Sequence, residues 1–177
     1  MKKYLNLGCG KDIRKSTDEI EWTNIDSIDI PGITLRLNLD HGRWPLDDNT
    51  YDYVDCKMIL EHLHNWPQAL EEIWRISKPG AIIEIQVPLF PSMYAATDPT
   101  HKSFFTYLTF DYFTPENSLN YYTKARFHIR KKYIRFSWNK IRNLLAIPIN
   151  WFPIFYSRYL SFIFPANSLE IKLEVIK

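Results

Sequence analysis

Three short motifs at the ends of predicted strands carry the chemistry of this chain. They are Gly8-Cys9-Gly10, Asp26 and the pair Leu39-Asp40. A turn without side chains lets the backbone approach a ligand closely. A carboxylate accepts hydrogen bonds from both hydroxyls of a ribose, and an apolar residue beside a second acceptor suits one edge of a purine. Each motif alone is more often a plain turn or a solvated acid, but in this order they predict a nucleoside-containing cofactor.

NAD is the obvious competitor for such a site, because its fingerprint also follows a first strand. That fingerprint needs a third glycine three residues after the second, and this chain has Ile13 there. The segment between Gly10 and Trp22 is also short and polar, so it does not predict a full phosphate-binding helix. The sequence therefore favours a cofactor without phosphates.

A histidine after the fifth predicted strand is the candidate general base. His101 ends the run Asp98-Pro99-Thr100-His101, and Asp98 is placed to orient its ring. The alternative is that His101 only holds the loop. His62 is interpreted as structural or as a neighbour of the cofactor. Cys9 and Cys56 show no paired close spacing with the histidines, so no metal site is predicted.

The elements that must position these residues alternate through the first half of the chain. Strand-then-helix alternation predicts an α/β fold with a doubly wound, mostly parallel sheet, which binds ligands at the carboxyl ends of its strands. A short helix is predicted at residues 60–63. A longer one starts at Pro67 and stops at residues 78–80. The predicted strands are residues 4–7, 22–26, 33–39, 51–56, 81–87, 126–136 and 169–176.

Composition and charge bound the class of protein. The 177 residues fit one globular domain, and a hydrophobic share of 46% excludes general disorder. Two cysteines fit a reduced, cytoplasmic enzyme, and the first residues do not resemble a secretory signal. Residues 1–99 carry 10 Lys/Arg and 16 Asp/Glu, whereas residues 100–177 carry 12 and 4. We therefore expect the two portions to have different roles.

A basic segment precedes a long apolar and aromatic one at residues 144–164. Cations beside aromatic residues suit a membrane surface, so peripheral membrane contact through residues 124–164 is one expectation. Prolines and an arginine interrupt the apolar run, which therefore does not predict a spanning helix. The favoured alternative is an insertion that roofs the substrate pocket; a nucleic-acid partner is not expected, although such residues also stack on bases. The basic residues are Lys124, Arg126, Arg130, Lys131, Lys132, Arg135, Lys140 and Arg142.

Several motifs together carry a family resemblance. They are Leu5-Asn6-Leu7-Gly8-Cys9-Gly10, Asn24-Ile25-Asp26, Leu39-Asp40, residues 44–52, Leu60-Glu61-His62-Leu63 and residues 75–81. With these motifs the chain resembles class I S-adenosylmethionine-dependent methyltransferases of the small-molecule type called methyltransferase type 11. The resemblance covers about residues 4–90. It implies a Rossmann-like, seven-stranded sheet, and residues 169–176 resemble its antiparallel last strand.

The resemblance implies S-adenosylmethionine as the cofactor and a role for each matching residue. The glycine turn passes under the methionine part, Asp26 holds the ribose hydroxyls, and Leu39 with Asp40 flanks and hydrogen-bonds the adenine. The strand end at Cys56 and Lys57 borders the sulfonium. The implied cofactor-binding residues are Asn6, Gly8, Cys9, Gly10, Asp26, Leu39, Asp40, Cys56 and Lys57.

The predicted activity is methyl transfer to a small-molecule or a lipid- or glycan-linked acceptor, with oxygen as the acceptor atom. Residues 56–59 lack the acid-or-Asn-Pro-Pro-aromatic signature of amino-group methylation on nucleic acids. Asp12 replaces the family's third glycine, Asn6 stands where many relatives have an acid, and the first helix is truncated. The alternative is therefore a non-catalytic module that binds the cofactor and docks a membrane or a protein partner. The predicted organisation is one domain, with a cofactor core at residues 4–90, a substrate loop and lid at 91–168 and a last strand at 169–177.

Overall fold

The chain forms seven strands, β1 (Lys2–Leu7), β2 (Ile20–Asp26), β3 (Leu35–Arg36), β4 (Tyr51–Lys57), β5 (Ser77–Pro88), β6 (Arg126–Arg135) and β7 (Ser168–Ile176). The computed structural model describes residues 1–137, 139 and 142–177. The strands build one sheet in the order β3-β2-β1-β4-β5-β7-β6. Strands β1 to β5 are parallel, and β7 runs antiparallel between β5 and β6. The predicted α/β fold with an antiparallel last strand is confirmed.

The longest described helix crosses between β4 and β5. The helices are α1 (Trp66–Ile76), α2 (Met93–Thr97), α3 (Ala146–Trp151) and α4 (Pro153–Phe155), with 3-10 turns at Leu60–His62, Thr109–Phe113, Asn120–Tyr122 and Arg142–Leu145 and a π turn at Tyr156–Leu160. In α1, the Asn65 side chain accepts a hydrogen bond from the Gln68 N–H, and Pro67 fits the first turn because it has no N–H to satisfy.

Three predicted boundaries were wrong. Helix α1 ends at Ile76 and β5 starts at Ser77, so the predicted stop at residues 78–80 lies inside β5. Pairing of Ser77 with Tyr51 extends the strand beyond its apolar stretch. The strand predicted at residues 33–39 is only Leu35–Arg36, because it lies at the sheet edge and pairs with β2 alone. The described residues 8–19 contain no helix, in agreement with the predicted truncation.

One face of the sheet carries the hydrophobic core, and we call it the apolar face. Strand register places Leu5 beside Val54, Val54 beside Ile83, and Ile83 beside Leu173. All four side chains are fully buried. Helix α1 packs on this face with Leu70, Ile73 and Ile76, and further aromatic residues join the same cluster, namely Phe105, Phe110, Phe113 and Phe127. This packing buries the apolar surface that drives folding.

The opposite face is polar, and we call it the polar face. Along each strand, the residues of the polar face alternate with the core residues, because successive side chains point to opposite faces. Tyr4, Trp22 and Tyr53 form a ring cluster with centroids 5.0–5.9 Å apart. Glu84 accepts from the Tyr53 hydroxyl at 2.9 Å and pairs with Lys172 at 2.7 Å. Register places further members on this face, namely Asn6, Asn24, Asp55, Lys57, Gln86, His128, Lys131, Tyr133, Glu170 and Glu174.

A buried ion pair ties the loop before β4 to α1. The Glu72 carboxylate accepts from the Arg75 guanidinium at 2.6 and 2.8 Å and from the Trp44 N–H at 2.7 Å. Arg75 also donates to the carbonyls of Leu46 and Trp44. Burial raises the pKa of Glu72, but these hydrogen bonds outweigh burial and hold it below the usual value.

The outer edge strand β6 is covered by α3. The Asn150 side chain accepts from the Ile134 N–H at 2.8 Å and donates to the Ile134 carbonyl at 2.9 Å. Buried Tyr156 anchors the segment that follows, because its hydroxyl accepts from the Ala166 N–H and donates to the Phe164 carbonyl. None of the described helices is both long enough and apolar enough to cross a bilayer.

Candidate functional site

The glycine turn after β1 lies against the residues that follow β4. Gly8 has a φ of +61°, and a Cβ at this position would lie 2.6 Å from Ile59 Cγ1. Gly10 has a φ of +49°, and no neighbouring heavy atom lies within 4 Å of the position that a Cβ would take there. A side chain at Gly8 would therefore clash, while the backbone at Gly10 stays accessible. The backbone at this turn therefore leaves room for a ligand to approach closely.

Asp26 lies beside this turn, at the carboxyl end of β2. Its Oδ2 accepts from the Gly10 N–H at 2.8 Å, and its Oδ1 accepts from the Ile28 N–H at 3.1 Å. An ionised carboxylate has further lone pairs after these two bonds. The acid also raises the pKa of the neighbouring Cys9 thiol, although burial is the larger cause. The structure thus brings Gly8, Cys9, Gly10 and Asp26 together, as the sequence predicted.

Asn6 supports the turn from below. Its amide donates to the Asp12 carbonyl at 2.7 Å and to Asn24 Oδ1 at 3.2 Å. Asn24 in turn accepts from the Arg14 N–H and donates to the Arg14 carbonyl. These bonds hold residues 12–14 against the strand ends where a helix would otherwise do so. The contacts of Asn6 are therefore those of a residue that positions the loop.

The two residues predicted for the adenine lie beyond β3. Leu39 is buried, and its carbonyl accepts from Trp44 Nε1 at 3.3 Å. Asp40 Oδ1 accepts from the His64 N–H at 2.7 Å, and its Oδ2 is 3.7 Å from Lys102 Nζ. Asp40 thus holds the segment before α1 through Oδ1. Its Oδ2 lies near Lys102, on the loop after β5.

The two side chains predicted to border the sulfonium lie at the end of β4, on opposite faces of the sheet. Cys56 is fully buried, and burial with the nearby charge of Glu61 raises its pKa well above the usual value. The Lys57 ammonium pairs with Asp55 at 2.8 Å on the polar face. The end of β4 adjoins the turn, because Cys56 pairs with Leu7, and the place of these two side chains beside the sulfonium stays a prediction.

His101 lies at the same edge, on the loop after β5. Its Nδ1 donates to the Ala95 carbonyl at 3.1 Å, so that carbonyl orients the ring. Asp98, predicted to do so, is 4.0 Å from His101 Nε2, which is beyond hydrogen-bond distance. Asp98 instead accepts from the Thr100 N–H and hydroxyl. These bonds, the hydroxyl first, lower the pKa of Asp98.

Two neighbours, His62 and Glu61, complete this region, and the sequence analysis did not predict a role for Glu61. His62 and His101 have ring centroids 4.7 Å apart, and burial, followed by the His101 charge, lowers the pKa of His62. Glu61 is 0% exposed and neither carboxylate oxygen has a hydrogen-bond partner. Burial, with a smaller effect of Asp98, raises its pKa to about 7. The signal in the sequence was the acid inside the apolar motif Leu60-Glu61-His62-Leu63.

The segment predicted as lid or membrane contact is mostly exposed. Phe162 is 76% and Trp151 is 71% exposed, and Phe162 contacts Phe90, which contacts Phe104 on the His101 loop. Most of the described basic residues are used within the protein: Arg130, Lys132 and Arg135 pair with Glu174, Asp111 and Glu170. Lys140 and the side chain of Arg142 lie outside the described residues.

Comparisons with known proteins agree with this architecture. Residues 1–138 match the family model described as a methyltransferase domain. A demethylmenaquinone methyltransferase of Shouchella clausii is 34% identical over 68 residues, which cover 33% of this chain and 29% of that protein. The chain therefore spans less than a third of this curated relative.

Solved structures extend the likeness to the whole fold. A SAM-dependent methyltransferase from Archaeoglobus fulgidus matches with a TM-score of 0.65 and 18% identity, over 98% of this chain and 86% of that one. A complex of the Haloferax volcanii Trm112 methyltransferase activator with a methyltransferase matches with a TM-score of 0.62 and 15% identity, over 99% of this chain and 83% of that one. The chain belongs to the methyltransferase domain family.

Proposed function

We propose that this chain methylates an oxygen atom of a hydroxyl-bearing acceptor that is apolar or linked to a lipid. S-adenosylmethionine supplies an electrophilic methyl group on a sulfonium. The observation that carries the acceptor class is the apolar surface beside the candidate site. It consists of Phe90, Met93, Tyr94, Phe104, Phe162, Ile163 and Phe164, all of them exposed, and we call it the apolar rim.

The residues around the glycine turn are proposed to hold the cofactor. The open backbone at Gly10 accepts the methionine part, and Asp26 accepts hydrogen bonds from the ribose hydroxyls with its remaining lone pairs. Leu39 and Asp40 are proposed to flank the adenine, beside the Lys102 ammonium. The protein's contribution to the rate is then positioning and exclusion of water, since methyl transfer is an in-line displacement.

His101 is proposed to promote loss of the acceptor's proton. A hydroxyl must lose its proton when its oxygen is methylated. The Nδ1 hydrogen bond to Ala95 fixes the ring and leaves the lone pair on Nε2. Asp98 is proposed to act on His101 through its charge rather than through a hydrogen bond, at 4.0 Å.

The apolar rim supports contact with a membrane or with an acceptor held in one. Contiguous exposed apolar side chains on a protein surface mark sites of interaction, and aromatic residues favour the interface between lipid and water. A relative named for demethylmenaquinone is consistent with a small, apolar acceptor. Because Arg130, Lys132 and Arg135 form ion pairs within the protein, the proposed contact depends on apolar burial more than on charge.

The cofactor assignment is tested by calorimetric titration with S-adenosylhomocysteine. Asp26→Ala removes the ribose acceptor and is expected to weaken binding by about 1–3 kcal/mol. Asp29→Ala, which removes an exposed acid three residues away, is the matched control and should bind as the wild type does. Equal affinities of all three proteins would remove Asp26 from the site.

The acceptor class is tested by formation of S-adenosylhomocysteine with quinol or phenol acceptors, free or dissolved in phosphatidylcholine vesicles. We expect turnover that rises when acceptor and protein share the vesicle surface. Phe162→Ser should remove this increase, whereas Tyr121→Ser, at a distant exposed aromatic, should retain it. Turnover of water-soluble acceptors that vesicles do not affect would contradict the membrane part of the proposal.

A further inference from the structure

Three side chains with metal-binding atoms converge beside the glycine turn. One ligand-type atom each of Glu61, His62 and His101 lies within 4.8 Å of the other two. The two histidines come from segments that are almost forty positions apart in the chain, so the fold brings them together. Glu61 follows Ile59, the residue that contacts the Gly8 turn, by two positions. The group therefore borders the candidate cofactor site.

The Glu61 carboxylate is the least satisfied polar group in the described part of the chain. It is fully buried, and both oxygens are without a hydrogen-bond partner. By contrast, the other buried carboxylate with an unpartnered oxygen, Asp55, pairs its second oxygen with Lys57. No described Lys or Arg side chain forms an ion pair with Glu61. Burial of such a group is costly unless a cation or a proton compensates it.

The hydrogen bonds of both histidines leave the same nitrogen free. His101 Nδ1 donates to the Ala95 carbonyl, which only accepts, so the lone pair is on Nε2. The Thr100 hydroxyl donates to Asp98 and its oxygen accepts from His62 Nδ1 at 2.8 Å, so the His62 lone pair is also on Nε2. A hydrogen bond on the remote ring nitrogen is the arrangement that fixes histidines as metal ligands.

We propose that Glu61, His62 and His101 bind one divalent first-row transition metal ion, such as Zn²⁺ or Fe²⁺. Two imidazoles and one carboxylate favour these ions over Mg²⁺ and Ca²⁺, which prefer oxygen ligands. Ligand atoms in a tetrahedral site with bonds of about 2.0–2.1 Å lie about 3.3 Å apart. The ligand atoms of the three side chains therefore need to approach one another by up to about 1.5 Å, through small rotations of the side chains.

Three protein ligands leave at least one coordination position open, as in catalytic metal sites. An acceptor hydroxyl bound there would lose its proton more readily, because a metal ion lowers the pKa of a bound oxygen acid. This would explain how His101 promotes proton loss without acting as a free base. The catalytic part of the inference depends on the proposed function, whereas metal binding does not.

The test is titration of metal-free protein with Co²⁺, followed by absorption spectroscopy, and with Zn²⁺, followed by calorimetry. We expect one ion per chain and a visible Co²⁺ spectrum typical of nitrogen and oxygen ligands. Glu61→Gln and His101→Ala should each weaken binding at least about tenfold. His128→Ala, at an exposed histidine on the polar face, should not. Binding below one ion per chain, or equal affinity in all variants, would overturn the inference.

Thermal melting separates a ligand from a structural residue. In metal-free protein, Glu61→Gln should retain or raise the melting temperature, because it removes a buried charge that has no partner. One equivalent of Zn²⁺ should raise the melting temperature of the wild type and not that of the variant. A Zn²⁺-induced rise that persists in both Glu61→Gln and His101→Ala would contradict the site. Metal binding without methyl transfer would overturn the proposed function alone.

Discussion

The two faces of the sheet use the same strands for different purposes. On the apolar face, Leu5, Val54, Ile83 and Leu173 form a continuous buried row beneath α1. On the polar face, the alternate residues form ring contacts and ion pairs, and Tyr4, Tyr53 and Glu84 among them are half-buried. The two faces are thus stabilised differently, one by burial beneath α1 and the other by polar contacts among its side chains. Residues 8–19 contain no helix, and strand β1 before them still ends at the candidate site.

Shortening one side chain on each face of β5 tests whether the two faces contribute differently to stability. Ile83→Ala removes a fully buried side chain from the apolar face and is expected to lower the free energy of unfolding by about 2–5 kcal/mol. Ile82→Ala, one position earlier on the polar face, should cost less than about 1.5 kcal/mol, since its side chain is only half-buried. Urea denaturation of both variants measures the difference. Equal losses would show that the two faces contribute alike.

The pH dependence of the free energy of unfolding tests the contribution of the buried carboxylate Glu72. The hydrogen bonds of Glu72 hold its pKa below 4.5 in the folded state, despite burial. The stability it contributes is therefore complete above pH 4.5 and is lost as the pH falls through the folded pKa. Glu72→Gln should lower the free energy of unfolding at pH 7 by about 1–3 kcal/mol. The difference from the wild type should shrink as the pH is lowered. Urea denaturation at several pH values measures it. A difference that is constant with pH would contradict this assignment.

Glu84 on the polar face should show the smallest effect. Its pair with Lys172 is about one-third exposed, and the hydrogen bonds from Lys172 and Tyr53 lower its pKa in spite of burial. Glu84→Gln is expected to cost less than about 1 kcal/mol. Added salt should reduce the cost further, because exposed pairs are screened, whereas the cost of Glu72→Gln should change little. A salt-independent loss at Glu84 would show that the polar face is more enclosed than described.

The sequence predicted the strands well because β1, β4, β5 and β7 carry buried apolar residues at alternate positions. It did not predict the polar face, although the signal was present: Tyr4 and Asn6 alternate with Leu5 and Leu7, and Glu84 with Ile83 and Ile85. A doubly wound sheet has both faces covered, and this expectation hid the alternation that a strand covered on one side shows.

The candidate site was predictable where its residues are close in sequence to a strand end. The glycine turn and Asp26 meet as expected, since parallel strand ends share one edge. The directions of the Cys56 and Lys57 side chains depend on which face each position takes, and the strand end alone does not define that. The contact of Glu61 and His62 with His101 depends on the path of the loop after β5, which carries no local signal.

Asn150 has a consequence for the behaviour of the protein in a crowded solution. By accepting from the N–H and donating to the carbonyl of Ile134, its amide makes the two hydrogen bonds that an eighth strand would make at this point of β6. A long outer strand with free backbone groups is a template on which another chain can add. One side-chain amide thus acts as a stop for sheet growth. Its loss would expose the molecule to edge-on aggregation before it changed the chemistry of the site.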